Sequence, residues 1–446
     1  MRIVSSSNRR AVARLLSASR IRERATESSV KDIVAGVRRG GEAAVRRFAS
    51  RLDGLSGPIE VTRRTWESEA GKLPKAVRAA MARAARHIRS VSRKQVPRGW
   101  RHTVAAGITV EQRVVPLSRV GCYVPAGRYP LPSSLLMTAI PARAAGVPEI
   151  VVCCPRPDAA VYAAAIEAGA DRLFRIGGAH AIAAMAYGTT SVPRVDKIVG
   201  PGNRWVSAAK SLVSADCGID FYAGPTEILI VAATGPARWI AADLIAQAEH
   251  DPDARAVFVT WHRRLADRVA TEVERQMPST GPARRSLATH GGIIVCRNMR
   301  EAIDLTNQAA AEHVVAGTEA IARLVTNAGA VFVGPWTAQV AGDYAIGSNH
   351  VLPTAGAARF RGGLNAADFV KLISVQRLSK KGLKKIGKTV TTLARAEGLD
   401  AHARSIDVRL PAPGSPPPRP KGRFGATAPE LALRAKAGRL PSGPRS

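Results

Sequence analysis

Short apolar segments alternate with helix-forming segments through the middle of the chain. From residue 120 onward the pattern predicts strands that are apolar on both faces, at Val120–Val124, Glu149–Cys154, Arg172–Ile176 and Val195–Val199. Alanine-rich helices are predicted between and after them, among them Ala159–Ala168 and Arg204–Val213. Such strands, joined by helices, are typical of a parallel sheet covered on both sides. The pattern therefore predicts a doubly wound α/β domain over residues 121–227.

A second series of strands and helices follows. Its strands are predicted at Glu227–Ala232, Ala256–Thr260, Gly292–Cys296 and Ala330–Val333. The helix Ala237–His250 is predicted to end there because the residue before Pro252 is pushed out of the helical conformation. Residues 228–362, together with 21–120, therefore predict another α/β domain, which carries the candidate metal and catalytic residues.

The two ends of the chain have a different character. Residues 1–20 are polar with a short apolar stripe and predict a helical arm, and residues 363–410 predict a small C-terminal domain with a lysine-rich helix. The stretch 411–446 is rich in Pro, Gly, Ser and Arg and predicts disorder. The predicted fold class is thus α/β: two doubly wound (incomplete Rossmann-like) domains, a small N-terminal helical arm and a small C-terminal domain.

The composition of the 446 residues fits a cytoplasmic globular protein. Hydrophobic residues make up 46% of the chain, yet no uncharged apolar run reaches the ~18 residues that a membrane span requires. The segment Met1–Arg24 lacks the apolar region of a secretory signal. Five cysteines without a CxxC pair favour buried thiols in a reducing compartment, and hence a cytoplasmic location.

A net charge of +32 is the unusual property of this composition. Residues 1–100 hold 24 Lys and Arg against 8 Asp and Glu, and residues 411–446 hold seven against one. Such a surplus fits either a solvated basic surface or a surface that binds polyanions. Aromatic residues, on which single-stranded nucleic acids stack, make up only 4%. Nucleic-acid binding is therefore not expected as the main function.

Two glycine-rich turns follow predicted strands and precede predicted helices. One is Gly200–Asn203 and the other is Gly177–His180. Glycine lets the backbone approach a ligand, and the N-terminus of the following helix offers N–H groups to an anion such as a pyrophosphate. Neither turn has the full GxGxxG pattern, so a tight turn without a ligand is an equal alternative.

Candidate metal ligands occur at a helix end and in later polar segments. Gln247 and His250 lie three residues apart at the end of a predicted helix, so that their side chains share one face. Two ligands do not make a metal site, which usually needs a carboxylate and another imidazole. Asp343, in a polar loop, could supply the carboxylate, and His402 could supply the imidazole.

The adjacent residues Glu312 and His313 are candidate proton-transfer groups. They follow the predicted helix Met299–Ala311 and are interpreted as its end. Their side chains differ in pKa, so the imidazole could accept a hydroxyl proton while the carboxylate activates a water. The alternative is a pair of ordinary surface residues.

Four longer motifs resemble those of the histidinol dehydrogenase family. They occur in the family's order and at compatible separations, and they are Val199–Asn203, Ala223–Glu227, Ala246–Pro252 and Asn349–Thr354. The resemblance covers roughly residues 20–410. It implies oxidation of L-histidinol through L-histidinal to L-histidine, with two NAD used in succession, one Zn²⁺ per subunit, and a homodimer with shared active sites.

The resemblance also implies roles for particular residues. Zinc would be held by Gln247, His250 and Asp343, together with His402 of the partner subunit. His313 would be the general base in both oxidations, and Glu312 would activate the water that attacks the aldehyde. The implied NAD contacts are Tyr123, His180 and Asn203. The implied substrate contacts are Thr226, Gln247, His250, Glu312, His313, Asp343, Glu397 and His402.

The roles that the resemblance implies for zinc and NAD are chemically consistent. The imidazole and the amine of histidinol are good zinc ligands, so the metal can position the substrate without carrying out the redox chemistry. Hydride transfer then falls to the nicotinamide of the cofactor.

Four positions depart from the family's usual pattern. The family usually has Gln where His180 stands and Gly where Ala126 stands, and both positions bear on the cofactor. It usually has Pro at the position of Ala311 and an acidic residue at that of Val315, on either side of the Glu-His pair. None of these departures removes a proposed zinc ligand or the base.

Three alternatives remain at this level. A paralogous zinc- and NAD-dependent dehydrogenase would oxidise another polar alcohol, and a degenerate homologue would bind a polyanion through its basic surface. The aldehyde stage could also pass through a thiohemiacetal on Cys122 or Cys153, although neither cysteine lies in a recognisable activating context.

Overall fold

The structure is a computed structural model that describes residues 1–16, 24–125, 131–221 and 224–410. The predicted disorder of 411–446 and the departure at Ala126 lie outside the described residues. None of the described helices is long and apolar enough to cross a membrane.

Strands and helices alternate through most of the described chain. The strands are β1 (Ile3–Ser5), β2 (Trp100–Ala105), β3 (Ile108–Pro116), β4 (Arg119–Tyr123), β5 (Glu149–Cys153), β6 (Arg172–Phe174), β7 (Lys197–Val199), β8 (Gly218–Ile219), β9 (Glu227–Val231), β10 (Arg255–Thr260), β11 (Gly292–Val295), β12 (His313–Ala316), β13 (Ala330–Val333) and β14 (Val370–Leu378). The helices are α1 (Arg9–Leu16), α2 (Arg24–Phe48), α3 (Arg63–Gly71), α4 (Lys75–Gln95), α5 (Pro132–Ala144), α6 (Ala159–Ala168), α7 (Gly178–Tyr187), α8 (Arg204–Val213), α9 (Ala237–Ala248), α10 (Arg263–Gln276), α11 (Ala283–His290), α12 (Met299–Ala309), α13 (Glu319–Ala322), α14 (Gln339–Tyr344), α15 (Lys380–Ala396) and α16 (Asp400–Asp407).

The chain divides into two compact units. The larger comprises Met1–Trp100 and Gln112–Ser374, and the smaller comprises Arg101–Glu111 and Val375–Ser446, described as far as residue 410. In the smaller unit α15 packs against α16. The hydroxyl of Ser379 caps α15 by accepting a hydrogen bond from the Gly382 N–H.

A five-stranded parallel sheet in the larger unit has the order β6-β5-β4-β7-β8. The chain runs outward from β4 to β6 and then returns to β7 on the other side of β4. Alternate side chains of β4 enter two different hydrophobic clusters, Cys122 with α5 and α6, and Tyr123 with α2 and α7. This confirms the prediction of a parallel sheet covered on both faces. In such a sheet, ligands bind beyond the carboxyl ends of the strands where the order reverses, which here is between β4 and β7.

A six-stranded parallel sheet in the same unit has the order β1-β11-β10-β9-β12-β13. It too is covered on both faces, with α9 and α10 on one side and α12 on the other. Its edge strand β1 comes from the segment that was expected to be a helical arm, in whose described residues, 1–16, the helix is α1. Three residues carry too weak a periodic signal to predict a strand, and β1 exists because it pairs with β11, nearly 300 residues away.

Three candidate site residues lie outside the elements that were predicted for them. Helix α12 ends at Ala309, because Ala310 adopts a left-handed conformation (φ 48°), and His313 is then the first residue of β12. The prediction that Glu312 and His313 end a helix was therefore wrong, since strand pairing outweighs the helix propensity of an alanine run. Asp343, predicted in a loop, lies on the short helix α14.

The turn after β7 is held by a buried ion pair. The Asp220 carboxylate accepts a hydrogen bond from the Gly200 N–H at 2.8 Å, and the Lys210 ammonium donates to the Gly200 carbonyl oxygen at 2.6 Å. Lys210 and Asp220 also pair directly at 2.6 Å, and both side chains are buried. Position 200 requires glycine, because its φ is 118° and a Cβ there would collide with the carbonyl oxygen of Tyr123.

We expect Lys210→Met to lower the free energy of unfolding by about 3–5 kcal/mol, because it leaves the Asp220 carboxylate buried without its cation. Urea denaturation measures the change. Lys72→Met is the matched control, because Lys72 forms an exposed ion pair with Glu69 and its loss should cost about 0–1 kcal/mol. Equal losses in the two variants would contradict this account of the turn.

Candidate active site

The candidate catalytic residues meet at the amino ends of two adjacent strands. Glu227 is the first residue of β9 and His313 is the first residue of β12, and these strands pair in parallel with His313 opposite Ile228. Thr226 and Glu312 immediately precede the two strands. Parallel pairing thus places all four side chains at one edge of the six-stranded sheet.

Glu312 is a buried carboxyl with two donors. Its Oε2 accepts hydrogen bonds from the Thr226 hydroxyl at 2.6 Å and from the Glu227 N–H at 2.8 Å. Burial raises the pKa of Glu312 to about 8, with a further rise from the charge of Asp343, while the two hydrogen bonds oppose the shift. Burial also raises the pKa of the neighbouring Glu227 to about 7. Two carboxyls at this edge therefore hold protons more tightly than in water.

His313 has one ring nitrogen engaged and one available. Its Nδ1 lies 2.9 Å from the Glu227 carbonyl oxygen, which can only accept, so Nδ1 carries the proton. Its Nε2 is buried and has no hydrogen-bond partner within the described residues. Burial lowers the pKa of His313, which keeps the ring neutral. The Nε2 lone pair is therefore held ready to accept a proton.

The end of α9 carries the next two candidates. The Gln247 amide donates through Nε2 to the Thr226 hydroxyl at 2.5 Å, and its buried Oε1 has no partner in the described part of the chain. The Nδ1 of the exposed His250 lies 3.1 Å from the Ala246 carbonyl oxygen, which can only accept, so Nδ1 is the donor of this hydrogen bond and Nε2 is the ring nitrogen left for a ligand.

Asp343 faces His313 from α14. Its Oδ1 lies 3.8 Å from the Nε2 of His313, and its Oδ2 accepts a hydrogen bond from the Gln339 amide at 2.9 Å. His350 donates through Nδ1 to the backbone oxygen of Asp343 at 2.9 Å, and burial lowers the pKa of that ring. Glu227, Gln339 and His350 were missed as site residues. Glu227 and His350 lie within the motifs Ala223–Glu227 and Asn349–Thr354, which are the sequence signals that could have indicated them.

Three of these side chains could hold a divalent cation. The free Gln247 Oε1, the His250 Nε2 and the Asp343 carboxylate are an amide oxygen, an imidazole and a carboxylate, which together suit zinc and similar metals. Across the described ranges no group of three or more His, Cys, Asp and Glu is arranged for a metal, and this set contributes only two such residues. The other two candidates belong to the smaller unit: Glu397 follows α15 and the exposed His402 lies on α16.

The candidate cofactor residues lie around the five-stranded sheet. The Tyr123 hydroxyl, at the end of β4, accepts a hydrogen bond from the Gly178 N–H at 3.0 Å. The Asn203 side chain caps α8 by accepting from the N–H groups of Trp205 and Val206. His180 lies in the first turn of α7, where its ring contacts Asp53 at 2.9 Å.

The glycine turn before α7 uses two of its backbone N–H groups within the protein. Asp53 accepts a hydrogen bond from the Gly177 N–H at 2.9 Å, and the Tyr123 hydroxyl accepts one from the Gly178 N–H at 3.0 Å. These two amides are therefore already engaged where a pyrophosphate-binding turn would leave them free.

The described cysteines are free and buried. Cys122 and Cys153 lie in β4 and β5, in the other sheet from Glu312 and His313. Burial raises the pKa of Cys122 to about 12 and also raises that of Cys153. Since the thiolate is the nucleophile, nothing here supports a thiohemiacetal on either residue.

Two parallel sheets covered by helices define the class of the protein, α/β, and a buried carboxyl lies beside a buried imidazole at the end of one sheet. The family model for histidinol dehydrogenase matches residues 16–410. The chain therefore belongs to the histidinol dehydrogenase family and is an oxidoreductase of histidine biosynthesis.

Individual relatives agree with this assignment. The histidinol dehydrogenase of Pseudomonas aeruginosa is 44% identical over 89% of this chain and 93% of its own length. That of Geobacter sulfurreducens is 44% identical over 87% of this chain and 94% of its own. The crystal structure of the enzyme from Elizabethkingia anophelis matches with a TM-score of 0.87 at 29% identity, over 92% of this chain and 98% of that one.

We expect Glu312→Gln to reduce the loss of stability of the metal-free protein between pH 5 and pH 8. The folded state holds the Glu312 proton up to about pH 8, whereas the unfolded state releases it near 4.5. The stability that this bound proton contributes is therefore fully present below pH 4.5 and is lost as the pH rises through about 8.

Urea denaturation of EDTA-treated protein at the two pH values measures this effect. Each unit of difference between the folded-state and unfolded-state pKa changes the free energy of unfolding by about 1.4 kcal/mol. Glu319→Gln, at an exposed carboxyl, is the matched control. An unchanged loss of stability in Glu312→Gln would contradict the raised pKa.

Proposed function

We propose that the protein oxidises L-histidinol through L-histidinal to L-histidine, using two NAD in succession, as a cytoplasmic homodimer with one zinc per subunit. The observation that carries this proposal is the buried His313 Nε2, which lacks a partner among the described residues, next to the buried Glu312 carboxyl. An alcohol oxidation needs a base of this kind at the hydroxyl, and an aldehyde oxidation needs an activated water.

Zinc would be held by Gln247, His250 and Asp343, and by His402 of the partner subunit. When bound, the metal supplies a Lewis-acidic anchor for the imidazole and amine of the substrate, and NAD supplies the hydride acceptor. Thr226 supports this arrangement. Its hydroxyl accepts a hydrogen bond from Nε2 of the Gln247 amide, which leaves the amide oxygen Oε1 to bind the metal. Thr226 of the same subunit and the partner subunit's Glu397 would complete the substrate contacts.

His313 would act as the general base in both oxidations. Its Nε2 takes the proton of the alcohol hydroxyl in the first oxidation and that of the hydrated aldehyde in the second, each time as the carbon gives up a hydride. The hydrogen bond from Nδ1 to the Glu227 carbonyl oxygen holds the ring in the required tautomer. Asp343, with Oδ1 at 3.8 Å from Nε2, stabilises the imidazolium that forms.

Glu312 would take a proton from the water that attacks the aldehyde. Its raised pKa in the metal-free site reflects burial and the charge of Asp343, and a nearby divalent cation would offset both and favour the carboxylate. The donors Thr226 and Glu227 also favour the charged form. The base required at the aldehyde stage is thus consistent with the geometry.

Tyr123, His180 and Asn203 would contact NAD. Tyr123 ends β4 and Asn203 lies just beyond β7, which are the two strands at which the order of the five-stranded sheet reverses. A crevice at that point is where doubly wound sheets bind nucleotides.

We expect His313→Gln to abolish the first oxidation and Glu312→Gln mainly to slow the conversion of the aldehyde. NADH formation from L-histidinol and, separately, from L-histidinal distinguishes the two steps. General-base contributions of this kind are about 10²–10⁴-fold. If Glu312→Gln oxidised the aldehyde at the normal rate, its proposed role would be wrong. Turnover of another polar alcohol in place of histidinol would favour a paralogous dehydrogenase.

Shared active sites predict complementation between two inactive variants. In a mixed dimer of His250→Ala with His402→Ala, one site carries both defects and the other carries neither. We expect an equimolar mixture, unfolded and refolded together, to regain about a quarter of natural activity, since half of its dimers are mixed. Each variant refolded alone is the control, and a mixture that stays as inactive as its components would contradict the shared site.

A further inference from the structure

Asp53 and His180 form a buried pair beside the proposed cofactor crevice. The His180 side chain is 1% exposed and the Asp53 side chain 11%, and the Nε2 of His180 lies 2.9 Å from the Oδ2 of Asp53. A carboxylate can only accept, so Nε2 is the donor of this hydrogen bond. In the neutral ring, the other nitrogen, Nδ1, is then an acceptor.

The Nδ1 of His180 has no partner among the described residues, although it is buried. A buried acceptor without a donor costs free energy, and such atoms in a folded protein call for an explanation. A group on a bound ligand would supply the missing donor.

Space for such a group exists over Gly178. This residue has a φ of 54°, and a Cβ built on it would lie 3.8 Å from Nδ1 and 3.9 Å from Cε1 of the His180 ring. Apart from Gly178 itself, its two chain neighbours and the backbone of its own helix, no other described atom lies within 4 Å of that point. A ligand atom above Gly178 would therefore be within reach of Nδ1.

The position of Asp53 is itself fixed. It ends the short π-helical turn Ala49–Asp53 that continues α2, and its carboxylate also accepts from the Gly177 N–H at 2.9 Å. The following loop is tied to the end of β6, because the Arg175 guanidinium donates to the carbonyl oxygens of Ser56 and Pro58. Asp53 is thus held against His180 from two sides.

We propose that Asp53 is a positioning residue that fixes the tautomer of His180, so that Nδ1 accepts a hydrogen bond from a neutral donor of the dinucleotide, a hydroxyl or an amide N–H. A phosphate does not fit this place, because it has no proton to offer and would lie near the Asp53 carboxylate. This inference rests on the proposed NAD-dependent function.

Calorimetric titration of the protein with NAD, in the presence of L-histidine, tests the proposal. His180→Phe removes the acceptor and should weaken NAD binding about tenfold, the worth of one hydrogen bond. His180→Gln should bind within about threefold of the natural chain, because its amide offers one donor and one acceptor.

Asp53 is tested in the same way. Asp53→Ala removes the group that fixes the tautomer of His180 and should also weaken NAD binding about tenfold. Asp53→Asn is the matched control, since its amide oxygen can accept from both His180 and Gly177, and it should keep most of the affinity. Thermal unfolding of each variant checks that the fold is retained.

A double variant separates positioning from a general structural role. If Asp53 acts through His180, then Asp53→Ala will have no further effect on NAD affinity in the His180→Phe background. An equal loss in both backgrounds would show that Asp53 only supports the fold, and would overturn the proposal. Unchanged affinity for NAD in both Asp53→Ala and His180→Phe would also overturn the proposal, but the proposed function would then stand. A natural chain that binds no NAD would instead overturn the proposed function, and this inference with it.

Discussion

Parallel pairing of β9 with β12 is the constraint on which the candidate acid–base site depends. It places the backbone of Glu227 beside Glu312 and His313, so that one peptide N–H binds the carboxylate and one carbonyl oxygen orients the imidazole. Both groups therefore share a scaffold that cannot move without breaking the sheet. The Thr226 hydroxyl extends the same framework to Gln247, at the end of α9.

Burial gives these groups their chemical properties. It raises the pKa of Glu227 and Glu312 and lowers that of His313 and His350. In each case removal from water disfavours the charged form. The divalent cation proposed at Gln247, His250 and Asp343 would reverse this preference for the carboxyls, because a nearby positive charge favours the carboxylate.

The five-stranded sheet carries two tight turns, one after β7 at the point where the strand order reverses and one after the edge strand β6. Gly200 lies so close to Tyr123 that no side chain fits, and the buried pair of Lys210 and Asp220 holds its peptide from both sides. At the turn after β6, the side chains of Asp53 and Tyr123 accept hydrogen bonds from the N–H groups of Gly177 and Gly178. The protein thus uses its own side chains where many nucleotide-binding turns leave free N–H groups for phosphate.

Local periodicity and the order of motifs can be read without knowledge of the fold, and they suffice for the α/β class, for the family and for the bounds of helices such as Ala159–Ala168 and Arg204–Val213. Other features appear only in the folded chain: His313 begins a strand, β1 joins a sheet, and Asp53 contacts His180. These features depend on pairing between residues far apart in the chain, and such contacts outweigh local propensity. The tautomers and the burial that define the candidate site have the same origin.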